Sequence, residues 1–93
     1  AEAIVKGEVD CGFAICGTGI GISLAANKVK GIRAACVSEP VSARLAKEHN
    51  NANIIALPAR FISFEDAKNI LDAYLSASFE EGRHLRRVNK IHI

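Results

Sequence analysis

Three short apolar runs, about 20 residues apart, constrain this chain more than any other feature. They are Cys11-Gly12-Phe13-Ala14-Ile15-Cys16, Ile32-Arg33-Ala34-Ala35-Cys36-Val37 and Asn53-Ile54-Ile55-Ala56-Leu57. Each is followed by a turn and an amphipathic stretch. Continuous rather than alternating apolarity suits strands covered on both faces. Strand–helix alternation at this spacing makes βαβ units. The expected fold class is therefore α/β, built on a parallel sheet with three strands.

The helices have readable ends. The first follows a glycine-rich turn and carries Ile20, Leu24, Ala25 and Val29 before Gly31, a residue suited to the position just past a helix. The second opens at Ser38 with Pro40 in its first turn. It runs through Val41, Leu45 and Ala46 and stops near His49-Asn50-Asn51. The third opens on Ser63 and Asp66, a capping box, and carries Ala67, Ile70, Leu71, Tyr74 and Leu75 as a helical stripe. A short basic helix is expected over 83–91. Residues 1–7 read as the last turns of a helix stopped by Gly7, with no strand before them. The first strand of a sheet this small would expose a hydrogen-bonding edge. The expectation is that residues before Ala1 are missing, or that a partner strand comes from elsewhere.

The 93 residues leave room for one domain, taken as residues 1–93. A chain 49% apolar and 24% charged falls within the ordinary globular range, which excludes a disordered tail. No apolar run approaches the ~18–20 residues of a membrane span, and the first residues do not resemble a signal peptide, so no membrane partner is expected. Three cysteines cannot form a closed disulfide set. Cys11 and Cys16 would stand about 16 Å apart along one strand. A reducing, cytoplasmic setting is expected. Residues 1–79 carry eight charges of each sign, so the net +2 comes from the last residues, where Arg83, Arg86, Arg87 and Lys90 outweigh Glu80 and Glu81. Nucleic-acid binders show a broader basic surface with aromatics for stacking. A local anion site fits better, and no nucleic-acid partner is expected.

The sharpest motif is Cys16-Gly17-Thr18-Gly19-Ile20-Gly21, at the carboxyl end of the first strand and opening a helix. Open α/β sheets bind ligands at that edge. Glycines allow a tight turn that points N–H groups into a pocket, and a helix N-terminus adds partial positive charge. Such a loop would hold a phosphate, a carboxylate or a developing enolate oxygen. It matches neither the Walker A nor the G-x-G-x-x-G pattern, and a plain strand–helix turn would use the same residues. Helix N-termini favour thiolates in general, so Cys16 is a candidate nucleophile or proton-abstracting base. Cys11 and Cys36 read as small core residues. His49, taken alone, is a surface histidine paired with its helix dipole. Asn50, Asn51 and Asn53 suit turn chemistry. Arg60 follows the third strand at the ligand-bearing edge. Arg83 and Arg87, four apart, would share a helix face and make a phosphate clamp.

With these residues in place, the sequence resembles the type B ribose-5-phosphate isomerases, whose wider family includes galactose-6-phosphate and allose-6-phosphate isomerases. The matching stretches are Gly7-Glu8-Val9-Asp10, Ile15 through Ser23, Ala25-Ala26-Asn27-Lys28, Gly31-Ile32-Arg33-Ala34, Ser38-Glu39-Pro40, His49 through Asn53, and Gly82-Arg83-His84. The resemblance implies a Rossmann-like three-layer α/β/α sandwich, of which this chain is roughly the C-terminal two-thirds. It implies a homodimer or dimer of dimers, with active sites built across the dimer interface. The implied substrate is a sugar phosphate, ribose 5-phosphate exchanging with ribulose 5-phosphate through an enediolate. Cys16 matches the family's base, Gly17 to Gly21 its anion hole, and Thr18 a hydroxyl donor. His49 matches the residue that helps open the furanose ring, Asn50 and Arg60 substrate-binding positions, and Arg83 and Arg87 phosphate ligands. No metal and no organic cofactor is expected. The family's opening strand–helix–strand region, with its Asp-His pair, has no counterpart here. Pro58 and Glu81 stand where glycine is usual.

Rival readings are an isomerase of a six-carbon sugar phosphate, a non-catalytic subunit that binds sugar phosphate, and a nucleotide-binding module. The last would want an acidic residue at the end of the second strand. Glu39 is there, but it precedes Pro40 and reads as a helix start.

Overall fold

The computed structural model describes residues 2–79. The expected basic helix over 83–91, with Arg83 and Arg87, lies outside them. The described elements are α1 (Glu2–Val5), β1 (Gly12–Cys16), α2 (Ile20–Ala26), β2 (Ala34–Cys36), α3 (Pro40–Asn50), β3 (Ile54–Pro58) and α4 (Phe64–Ser76). The three strands are parallel, in the order β1-β3-β2, which is the Rossmann-like α/β form expected.

Only β3 meets the expectation of a strand covered on both faces, because it is the central strand and all five of its residues are buried. β1 alternates between half-buried and exposed, and β2 ends exposed. Both are edge strands, a property of strand order that no single run of residues reveals. Successive strand residues point to opposite faces. Ile55 and Leu57 therefore face one layer, where they pack with Ala43 and Ala46 of α3 and Ile70 and Tyr74 of α4. Ala14 and Ile54 face the other layer and line an apolar groove with Ile22 and Ala26 of α2.

The two edges are finished differently. On β2, Ala34 turns its N–H and C=O outward, and the Asn27 side chain takes both: Oδ1 accepts at 2.7 Å and Nδ2 donates at 2.9 Å. One amide thus stands in for a neighbouring strand. Among the described residues β1 pairs only with β3. Its Phe13 and Ile15, 41% and 65% exposed, lie on the face toward α4, where Phe13 meets Tyr74.

Helix ends follow local chemistry. Ser63 and Asp66 form the complete capping box, with both reciprocal bonds at 3.0 Å. The N-cap of α3 is Glu39 rather than Ser38: its carboxylate accepts from the N–H groups of Val41 and Ser42. The Ser42 hydroxyl also donates to that carboxylate. These bonds, led by the hydroxyl's, hold the Glu39 carboxyl below its ordinary range. α2 ends at Ala26, earlier than the stripe reaching Val29 implied: Asn27 still donates to the Ser23 carbonyl, but Lys28 and Val29 bond to carbonyls three residues back, and the Asn27 side chain serves β2. Its inward face is also offset. Ser23 is buried, whereas Ile20 and Leu24 are 57% and 62% exposed. Among the described residues no helix is long and apolar enough to cross a membrane.

Tyr74 anchors the α3–α4 layer to the sheet. Its hydroxyl donates to the buried Ala52 carbonyl, and its ring meets Phe13 edge-on, with centroids 5.8 Å apart. Burial pushes its phenol up to about 12, the Cys11 thiol adding to the shift and Arg33 opposing it. An unfolded tyrosine ionises near ~10, so on raising pH the unfolded chain gives up this proton first. The stability tied to Tyr74 is complete below about pH 10 and is lost between about 10 and 12. Denaturant midpoints should fall across that window. Tyr74→Phe should cost about 1–2 kcal/mol at neutral pH and should flatten the alkaline fall. An equal alkaline slope in the variant would assign that loss to another group.

Candidate functional site

The β1–β3 ladder runs on past both strands. Cys16 pairs with Pro58, then the Ala59 N–H donates to the Cys16 carbonyl at 2.8 Å and the Arg60 N–H to the Gly17 carbonyl at 3.0 Å. Pro58 has no N–H to give. Its nitrogen faces the β2 side of β3, beyond the last residue of that strand, so the substitution leaves the ladder to β1 intact. This continuation lays the Arg60 side chain over the glycine turn. A Cβ on Gly17 would stand 3.2 Å from Arg60 Nε and 3.6 Å from Cζ. Gly17 is the gap that admits the guanidinium.

The turn itself folds around sulfur. Gly19 has φ 78°, in the left-handed region, and forms the N-cap of α2. Its N–H donates to Cys16 Sγ at 3.1 Å. The Ile20 N–H donates to Thr18 Oγ1 at 3.3 Å, and Ser23 Oγ donates back to the Ile20 carbonyl at 2.8 Å. Cys16 is half-buried and Thr18 exposed. The bond fixes the Cys16 sulfur against the main chain of the turn. N–H groups in the first turn of α2 lack intrahelical acceptors by construction.

Cys36 corrects the sequence reading. It is an exposed residue at the carboxyl end of β2, not a core residue. Its Sγ donates to the Thr18 carbonyl at 3.5 Å and would lie 2.8 Å from a Cβ on Gly19. The signal was its place at the end of the second strand, the ligand-bearing edge. Cys11 does pack against the core.

The structure thus gathers Cys16, Gly17, Thr18, Gly19, Ile20, Gly21 and Arg60, and adds Cys36. It does not bring His49 or Asn50 to them. α3 starts beside the carboxyl end of β2 and runs back, so its last residues lie near the start of β3, about 13 Å of strand from Pro58. Asn50 instead lines a cavity of about 650 Å³ at that far end, with Lys28, Lys30 and Arg33. Asn51 and Asn53 are turn residues, as expected. Asn51 is the left-handed C-cap of α3, and Asn53 bridges the Arg33 N–H and the Gly31 carbonyl. Glu39 is spent on its helix, which leaves the nucleotide reading without its ribose-binding acid.

The family model described as Ribose/Galactose Isomerase matches residues 1–91. Ribose-5-phosphate isomerase B of Escherichia coli strain K12 is 54% identical over 91 residues, covering 98% of this chain and 61% of that protein. The chain therefore spans about three-fifths of the length of this relative. The solved ribose-5-phosphate isomerase B of Clostridium thermocellum superposes with a TM-score of 0.96 at 53% identity, covering 98% of this chain and 62% of that one. The Mycoplasma genitalium enzyme with bound ribulose-5-phosphate gives a TM-score of 0.91 at 45% identity, covering 98% and 60%.

Two glycines of the motif should respond in opposite ways. Gly19→Ala meets both a left-handed backbone and the Cys36 sulfur, and should cost about 2 kcal/mol or more. Gly21 has nothing within 4 Å of its Cβ position, so Gly21→Ala should be neutral or stabilise by up to about 1 kcal/mol. Thermal melts of the two variants read this directly; equal losses would contradict the turn described.

Proposed function

The chain belongs to the ribose/galactose isomerase family, and on that premise we propose that its protein interconverts ribose 5-phosphate and ribulose 5-phosphate. Cys16 moves the proton between the two carbons of the enediolate. The observation that carries this reading is the Cys16 sulfur receiving the Gly19 N–H beside the Arg60 guanidinium. An aldose–ketose exchange needs a base over the reacting carbons and fixed donors for the oxygen that gains charge. The N–H groups of the Gly17–Gly21 turn that are not already given to Cys16 and Thr18, with the Thr18 hydroxyl, are those donors, and Arg60 adds positive charge. The open space at Gly21 supports close approach of a substrate to the main chain. Arg83 and Arg87 hold the phosphate, remote from the chemistry, so that binding energy positions the sugar. The three free thiols suit a cytoplasmic setting.

His49 and Asn50 stand at the other end of the sheet from Cys16. We place them in the site of a second copy: each site of a homodimer takes Cys16 from one protomer and His49 and Asn50 from its partner. A two-fold axis generates two such sites at once.

In the full-length protein, Cys16→Ser should lower kcat on ribose 5-phosphate at least ~100-fold with an unchanged melting temperature; unchanged turnover would remove Cys16 from the reaction. Turnover of galactose 6-phosphate or allose 6-phosphate faster than ribose 5-phosphate would move the assignment to a six-carbon substrate. Mixing inactive Cys16→Ser and His49→Ala proteins, with subunit exchange, should recover up to about a quarter of wild-type activity, because each mixed dimer holds one intact site. A mixture no more active than its components would overturn the shared site.

A further inference from the structure

We propose that Cys36 is a positioning residue for the Cys16 sulfur, acting through the Thr18–Gly19 peptide. This rests on the isomerase reading only for its consequence in turnover; the positioning itself is a matter of geometry. A trans peptide holds its carbonyl and its N–H on opposite edges of one rigid plane. At Thr18–Gly19, each edge meets a different sulfur. The carbonyl accepts from Cys36 Sγ at 3.5 Å, and the N–H donates to Cys16 Sγ at 3.1 Å.

The plane needs such a grip because of the residue that follows it. Rotating this peptide by about half a turn changes Thr18 ψ and Gly19 φ, and glycine tolerates either sign of φ. The rotated plane would aim the Thr18 carbonyl oxygen at the Cys16 sulfur and take the Gly19 N–H away. A sulfur carrying negative charge would then face a lone pair in place of a donor. Cys36 opposes this rotation in two ways. Its thiol holds the carbonyl, and its sulfur fills the space beside the Gly19 Cα, 2.8 Å from where a Cβ would be. It can do so because its own position is set by β2, where it pairs with Ala56.

Among the described residues, the charged groups of the elements around the turn are these. Arg60 reaches it from beyond β3, and α2, Ile20–Ala26, brings no charged side chain. Removing the Cys36 thiol thus changes the orientation of one peptide without changing the local charge set.

The test is the rate of Cys16 alkylation by iodoacetamide against pH in the full-length protein, read by mass spectrometry of the peptide that carries Cys16. Cys36→Ala should move the midpoint of this profile to higher pH and slow alkylation roughly three- to tenfold below the midpoint. kcat for ribose 5-phosphate should fall by a similar factor with KM unchanged. Cys36→Ser keeps a hydroxyl donor and should recover part of both losses; if the alanine variant does not fold, the serine variant must still show a smaller shift in the same direction. A profile that superposes on wild type in the folded variants would overturn the proposal while leaving the isomerase reading in place. A shifted alkylation profile in a protein with no isomerase turnover would sink the isomerase reading and leave the positioning role standing.

Discussion

The site depends on the register of one parallel ladder. Pairing Cys16 with Pro58 puts the sulfur on the α2 side of the sheet and brings Ala59 and Arg60 alongside the glycine turn. A slip of one residue would send the Cys16 side chain to the opposite face, under α3 and α4. The register is held by the buried packing of β3, whose Ile55 and Leu57 fit only with the other layer. Core packing and site geometry are therefore one constraint: the same strand that fills the interior aligns the reactive end.

Parallel topology also decides what cannot meet. Each helix must return from the carboxyl end of one strand to the amino end of the next. A helix that opens near the site, as α3 does at Glu39, must close far from it, at His49 and Asn50. No repacking within the protomer alters this. The proposed roles of His49 and Asn50 beside Cys16 therefore require a second copy of the chain, because the direction of the strands keeps the two ends of α3 apart.

Much of this was legible in the residues, where the governing interactions are local. The Ser63–Asp66 box, the Gly7 stop and the turn roles of Asn51 and Asn53 depend on neighbours within a few positions or on backbone conformation. The glycine turn at a strand's carboxyl end was legible for the same reason. What the residues concealed depends on strand order. Burial on both faces was read into all three runs, but only β3 has a neighbour on each side. Cys36 looked like core because its run is apolar, yet an edge strand's last residue faces the loop above it. α2 looked longer because its stripe continues to Val29, but after Asn27 the main-chain bonds shorten to three residues back.

The glycines of the motif separate what the chain needs for itself from what it reserves. Gly17 yields to Arg60, and Gly19 to a left-handed backbone and a sulfur. Both are explained by atoms of the chain, and any tight strand–helix turn of this shape would need them. Gly21 is not. It sits in the first turn of α2 with open space where a side chain would go, and alanine there would suit a helix better. Among the described residues nothing meets its Cβ position, which suits the approach of a substrate. In the proposed reaction a sugar's reacting carbons come against the main-chain N–H groups beside Cys16, and a methyl group at residue 21 would stand in the way. A turn that existed only to reverse the chain would have no use for that third glycine.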